Sequence, residues 1–219
     1  MSAHSDIDPT RVTIAIAGPE HEACAEHICA LIAESAKARR TGIAKREPSY
    51  VRAKMAAGNA VVALDGDRCV GFCYVEVWTH GRYVANSGLI VDPAYRGHKL
   101  AERIKEAAFH LARDKYPDAR MFGITTNGRV MEINSNLGYR PCTFNQLTQD
   151  ESFWKGCSSC PNYDILQRNE RKMCLCTAMI APSKNEALAR EEEERLAAKQ
   201  ARKAAKREAK AAVVDRSMP

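Results

Sequence analysis

Arg96, Gly97, His98 and Lys99 stand in "LIVDPAYRGHKLAERI", between an apolar alternating run and a strongly helical one. A strand that feeds directly into a helix leaves several backbone N–H groups aimed at one spot, and the helix dipole adds partial positive charge there. Gly97 lets the backbone approach a ligand closely, and its three neighbours bring cationic or potentially cationic side chains to the same rim. The chemistry is anion binding, with a phosphate-bearing ligand as the expectation; plain dipole complementation is the alternative. A second group lies in "CVGFCYVEVW", where Phe72, Tyr74, Glu76 and Trp78 share one face of an alternating run. A carboxylate among aromatic rings has its pKa raised toward that of a working general base, so Glu76 is the candidate base. The bland alternative is a carboxylate at the sheet rim paired with a nearby cation. His80 follows in a turn and reads as an exposed turn residue.

Four cysteines form a third group. Cys157 and Cys160 make a C-x2-C in "KGCSSCPN", and Cys174 and Cys176 follow as C-x-C. A C-x2-C knuckle turns both thiolates toward one ion, and two residues spaced by two on a strand point to one side. Three readings stay open: a structural zinc held by the four thiolates, reduced or redox-active thiols, and disulfides. Cys24, Cys29, Cys69 and Cys73 read as small core residues.

The elements that must position these groups follow from periodicity. "RVTIAIAG" is a first strand, residues 20–40 a helix with Cys24, Ile28, Leu31 and Ile32 on one face, and residues 49–57 a shorter helix ended by Gly58. Three strands, "AVVALDG", "CVGFCYVEVW" and "RYVANSGLIV", are joined by "DGDR" and "THG", which suit tight antiparallel turns. Then come a helix over 100–115, a strand "RMFGITT", a helix over 129–137, a strand "YRPCTFNQL" and a closing strand "MCLCTAMI". The order predicts a mixed sheet with packed helices, an α/β (α+β) layer architecture. Beyond Pro182 the chain is almost purely Ala and charge, with Glu186 and Glu191 each four residues before an Arg. A solvated helix is the reading there, and an RNA-binding or partner-binding helix the alternative. The expected boundaries are 11–148 for the main domain, 149–182 for a Cys-rich extension and 183–219 for the tail.

Of 219 residues, 45% are hydrophobic, which suits one folded domain with its own core. No run approaches the roughly 18 uninterrupted apolar residues that a membrane span needs, so no membrane partner is expected. Nine cysteines without a secretory signal point to a reducing compartment, the cytoplasm. The net charge is +6, and the tail alone carries ten Lys/Arg against seven Asp/Glu. The folded part is only mildly basic and gives no argument for nucleic-acid binding.

"LIVDPAYRGHKLAERI" resembles the acyl-CoA loop of the GNAT superfamily of N-acetyltransferases, whose pattern is Arg or Gln, two residues, Gly, one residue, then Gly or Ala. Arg96 matches its first position and Ala101 its last, while Lys99 stands where the family usually has Gly. The resemblance covers roughly residues 11 to 145 and implies a mostly antiparallel sheet splayed between its fourth and fifth strands, helices on both faces, and acetyl-CoA or another acyl-CoA as co-substrate. It further implies that backbone groups at Leu89 and Val91 hold the pantetheine arm. Amides of Gly97, His98, Lys99, Leu100 and Ala101 would hold the pyrophosphate. "TTNGRVMEINSNLGYRP" resembles the segment after the fifth strand, so Asn127 matches an Asn that contacts pantetheine. Where many members carry a Tyr that protonates the departing thiolate, this chain has Asn134. An amide donates a hydrogen bond to sulfur but cannot serve as a general acid.

The loop "ARRTGIAKREPSYVRAKM" concentrates Arg39, Arg40, Lys45, Arg46 and Arg52. In the resembled fold it borders the acceptor, and guanidinium groups bind carboxylates bidentately, which makes Arg46 the candidate substrate clamp; a solvated helix edge is the alternative. "TGIAKREPSYVRAKM", "YVANSGLIVDP", "FGITT" and "FWKGCSSCPNYDIL" together resemble a bacterial subgroup found with arginine-biosynthesis enzymes, which implies N-acylation of glutamate. The expectation is therefore direct transfer of an acetyl or other short acyl group to a small amine, an amino acid such as glutamate. Two alternatives stand beside it, a protein or peptide acceptor and a non-catalytic binding module. Oligomeric state stays open, with a homodimer as one option.

Overall fold

The computed structural model describes residues 11–39 and 44–215, so Arg40 lies outside it. Strand β1 (Thr13–Ile16) leads through a 3-10 helix (Pro19–Cys24) into α1 (Ala25–Arg39), and α2 (Pro48–Ala56) follows. The first helix thus becomes α-helical five residues later than periodicity predicts, because Pro19 opens the segment as a 3-10 helix. The meander β2 (Ala60–Asp65), β3 (Arg68–Trp78) and β4 (Tyr83–Val91) precedes α3 (Leu100–Lys115), β5 (Arg120–Thr125), α4 (Gly128–Asn136) and β6 (Arg140–Cys142). Helices α5 (Glu151–Lys155) and α6 (Tyr163–Arg168), strand β7 (Thr177–Ala181) and α7 (Lys184–Asp215) complete the described chain.

Seven strands form one mixed sheet in the order β1-β2-β3-β4-β5-β7-β6. All neighbours are antiparallel except β4 and β5, which run parallel. Their ladder pairs only Tyr83–Ala85 with Arg120–Phe122, after which β4 continues to Val91 and β5 to Thr125 without pairing with each other. The sheet therefore forks there, as the resemblance implies. Helices α1 and α2 pack on one face over Val62, Phe72, Tyr74 and Ile90. Helix α3 covers the other face with Leu100, Ile104, Ala108 and Ala112, over Cys73, Val75, Val84 and Met121. Burying each such aliphatic side chain stabilises the fold by about 1.5–3 kcal/mol before entropy is counted.

Two expected strands come out shorter. Only Arg140–Cys142 of the run 139–147 is strand; Pro141 lacks an N–H to donate, and the chain turns into a 3-10 helix at Phe144–Gln146 that buries Phe144. The closing strand starts at Thr177, so Cys174 and Cys176 precede it. Segment 149–182 supplies this interior strand, which pairs with both β5 and β6, and it carries Trp154 and Leu166 into a third apolar cluster with Phe122 and Ile180.

Candidate functional site

On the α3 side the fork opens a cleft of about 380 Å³, lined by Leu89, Val91, Arg96, Gly97, Lys99, Leu100, Ala101 and Asn127 among others. Eight of the nine residues expected to bind cofactor meet there; His98 is exposed and does not line it. Strand β4 ends at Val91, Asp92 caps the next 3-10 turn by accepting from the Ala94 amide at 3.0 Å, and the chain enters α3 at Lys99. Lys99 sits in the left-handed region at φ 58° and its side chain makes no cap, so the first amides of α3 face the cleft without an acceptor from the helix. Gly97 has φ +88°, and a Cβ there would meet nothing within 4 Å, so the loop presents bare backbone to open space. Arg96 folds back, its Nε donating to the Val91 carbonyl at 3.3 Å.

Across the cleft, the Asn127 side chain caps α4 by accepting from the amides of Arg129 and Val130, at 2.9 and 3.3 Å. That cap uses the side-chain oxygen and not Nδ2. The sequence reading missed Glu102 and Arg129, which also line the cleft and form an ion pair that ties the start of α3 to α4. A strand-to-helix loop rich in amides beside an apolar slot fits a pyrophosphate joined to a thin, uncharged arm. The donors suit the acyl-CoA that the resemblance implies.

The other face of the fork carries a cationic and aromatic cluster. Arg46 Nε donates to the Tyr74 hydroxyl at 2.7 Å, and its guanidinium lies 5.9 Å from the Tyr50 ring centre and 5.7 Å from that of Tyr74. The Tyr50 hydroxyl donates to Glu76 Oε2 at 2.6 Å, and Lys54 Nζ donates to Glu76 Oε1 at 2.5 Å. Glu76 thus has the cationic partner that the alternative reading required, in a pair whose side chains are 17% and 19% exposed. Burial pushes the Tyr74 phenol up, with Arg46 opposing, and burial also lifts that of Tyr50. Both therefore stay neutral donors at neutral pH. Sequence reasoning missed Tyr50 and Lys54, although Arg46, Tyr50 and Lys54 recur every four residues, which places the latter two on one helix face.

Between the two sides, β4 carries a bulge: Phe72 pairs with Ile90 and Tyr74 with Ser87, so β4 spends an extra residue at Gly88 and Leu89. Gly88 has φ +66°, and a Cβ on it would stand 2.6 Å from the Tyr74 ring. The bulge turns backbone groups out of the β3 ladder beside both cleft and cluster. Asn134 is 1% exposed, its Nδ2 reaching the Met179 sulfur at 3.7 Å, and it lies outside the cleft lining.

Of the three readings of the cysteines, zinc finds no support. Among the described residues no group of three or more His, Cys, Asp or Glu side chains is placed to hold a metal ion, and all nine cysteines are free. Cys174 and Cys176 lie in the turn before β7 rather than on a strand, and with Cys157 they pack against the apolar cluster under α5 and α6. Burial pushes Cys157 up to about 11, aided by its cysteine neighbours and opposed by Arg46, and lifts Cys176 to about 12. Among the described residues no helix is long and apolar enough to cross a membrane.

Residues 27–128 match the acetyltransferase (GNAT) family. A similar solved structure is N-acetylglutamate synthase from Neisseria gonorrhoeae complexed with coenzyme A and N-acetyl-glutamate, at 17% identity and TM-score 0.57, over 78% of this chain and 35% of that one. A Mycobacterium tuberculosis protein in complex with CoA matches at 17% identity and TM-score 0.54, over 78% of this chain and 98% of its own. The NatC complex bound to Gag peptide and CoA matches at 12% identity and TM-score 0.53, over 78% and 98%. This chain thus spans little more than a third of the Neisseria synthase. No curated protein matches the chain.

Proposed function

We propose that this chain, whose residues 27–128 match the acetyltransferase (GNAT) family, moves an acetyl or other short acyl group from acyl-CoA to the amine of a small amino acid such as glutamate. The observation that carries the acceptor class is the cluster on the α2 side of the fork. Arg46 and Lys54 set two cations against one carboxylate, Glu76, which leaves net positive charge beside two phenols. An acidic amino acid complements that: its side-chain carboxylate takes the Arg46 guanidinium and its amine approaches Glu76.

Glu76 acts as the base by drawing the proton from the attacking ammonium, while Lys54 and Tyr50 fix its two oxygens. The amine then attacks the thioester directly, without an enzyme-bound intermediate. Amides at the Gly88–Leu89 bulge, released from the regular ladder, would receive the developing oxyanion. The bound coenzyme supplies the activated acyl group; Leu89, Val91, Asn127 and the Arg96 to Ala101 loop hold its arm and phosphates. The resemblance to the subgroup found with arginine-biosynthesis enzymes supports a role in arginine supply, and the free cysteines suit the cytoplasm.

A second reading keeps the chemistry and makes the acceptor a peptide amine, favoured by the fold likeness to the peptide-bound NatC complex. Thiol release from acetyl-CoA and succinyl-CoA, measured with a panel of amino acids and a lysine-bearing peptide, separates the two. Turnover with glutamate or a close relative alone is the expected result, and turnover with the peptide alone overturns it.

A further inference from the structure

Beyond the last β4–β5 pair, Ala85 with Phe122, the first residues of the two arms are Asn86 and Gly123. Buried polar groups converge there on the α3 side. Lys105, 3% exposed, donates from Nζ to the Asn86 carbonyl at 3.3 Å and lies 5.8 Å from the centre of the Tyr139 ring. Asn134 lies over Gly123, its Nδ2 3.9 Å from where a Cβ would stand. Both polar atoms of the Asn86 side chain, Asn134 Oδ1 and the Tyr139 hydroxyl are buried with no hydrogen-bond partner among the described residues. One unpaired buried polar atom is already costly, and so many at one fork point to a polar guest.

These groups stand just beyond the lining of the cleft. Ala101 and Glu102 line the cleft and Lys105 stands one helical turn deeper; Ile133 lines it and Asn134 comes next. An arm running past Leu89 and Val91 along the cleft would carry its sulfur toward these groups. The Asn134 amide can donate a hydrogen bond but cannot act as a general acid. Burial pushes the pKa values of Cys73 and Tyr139, the titratable groups facing Lys105, upward, in the direction that keeps their protons, whereas burial drives that of the Lys105 amine down, with Cys73 opposing.

We propose that Lys105 is the acid of the transfer, handing a proton from Nζ to the departing coenzyme sulfur. The acceptor nitrogen forms the new C–N bond, the C–S bond breaks with its electron pair on sulfur, and the Lys105 proton makes the neutral thiol. Lys105, left as a neutral amine, is reprotonated from solvent when the products leave, and the proton shed by the acceptor departs through Glu76. Asn86 and Tyr139 are positioning residues that present hydrogen-bond donors to the same sulfur. The inference rests on the acyl-CoA reading of the cleft.

Coenzyme A bound to the full chain, with no acceptor present, gives a readout independent of turnover: thiolate ultraviolet absorbance against pH, for wild type, Lys105→Met and Lys105→Arg. The bound thiol is expected to ionise at least about tenfold more readily in wild type than in Lys105→Met. In thiol-release assays both variants are expected to lose on the order of a hundredfold in turnover, with the acetyl-CoA KM within about threefold. Lys105→Arg keeps the charge without a transferable proton, so restored turnover in it overturns proton donation. If Lys105→Met fails to fold, Lys105→Arg carries both measurements. Tight coenzyme binding with an unchanged thiol titration sinks the Lys105 role and leaves the cleft assignment standing. Absence of coenzyme binding to wild type sinks both.

Discussion

At the scale of single residues, Arg46 and Glu76 divide binding from chemistry in the proposed acceptor site. Arg46 already holds Tyr74 through one nitrogen, so Arg46→Ala removes both a charged hydrogen bond and a ring contact. A charge-assisted hydrogen bond contributes about 1.5–3 kcal/mol, so the acceptor KM should rise at least about tenfold while that for acetyl-CoA stays put. Equal effects on both constants would remove the clamp. Glu76→Gln should lower turnover by on the order of 10²-fold without changing coenzyme affinity, and unchanged turnover would remove Glu76 as base. Both residues were legible from charge type and strand alternation. Lys54 was not, since the pairing of a helix lysine with a strand carboxylate 22 residues away depends on how α2 lies on the sheet. The four-cysteine spacing was legible as a motif, but its geometry was not: β7 starts after Cys176, so strand alternation never aligned the second pair.

At the scale of elements, the fork and bulge of β4 hold the two half-sites in register. The meander and the α3 entry followed from alternation, turn residues and helical spacing. The bulge was not visible, because "NSGLIV" alternates well enough to be read as a regular strand, and the positive φ of Gly88 together with the Tyr74 ring seated against it explains the glycine. Gly88→Ala should therefore cost at least about 1–2 kcal/mol from its φ alone, more from the ring overlap, and should lower Tm and activity together. An unchanged Tm would mean that the bulge relaxes freely. Around α5, α6 and β7, burial raises the Cys157 and Cys176 thiols from the ordinary value of 9.0 to about 11 and about 12. A group raised on folding stabilises fully below its unfolded value and loses that contribution as pH climbs through the folded one. Unfolding midpoints should accordingly fall between about pH 9 and 12, and Cys157→Ser with Cys176→Ser should flatten that decline. An equally steep decline in the double variant would place the alkaline sensitivity elsewhere.

At the scale of the whole molecule, sequence order alone could not reveal that β7 enters between β5 and β6, because strand adjacency across a crossover depends on which edge is free when the chain returns. That insertion brings α7 out beside α3 and β5. Its first turn is fastened: Glu186 takes Arg120 in a two-pronged pair at 2.9 and 2.6 Å, Lys184 meets Asp114 at 2.7 Å, and Asn185 meets Asp118 at 2.7 Å. From Leu188 through Ala205 the side chains are exposed. Truncation after Arg190 keeps every one of these ties, so stability should stay within about 0.5 kcal/mol and thiol release should be unaffected. Truncation after Pro182 removes them all and exposes the end of β7, for a loss on the order of 1–2 kcal/mol from several partly exposed charged contacts. Chemical denaturation of the two truncated chains, read beside their turnover, tests the gradient. A drop in turnover on removing only residues 191–219, with stability unchanged, would show that the charged helix serves the reaction, and the cleft and cluster would no longer be the whole of the site.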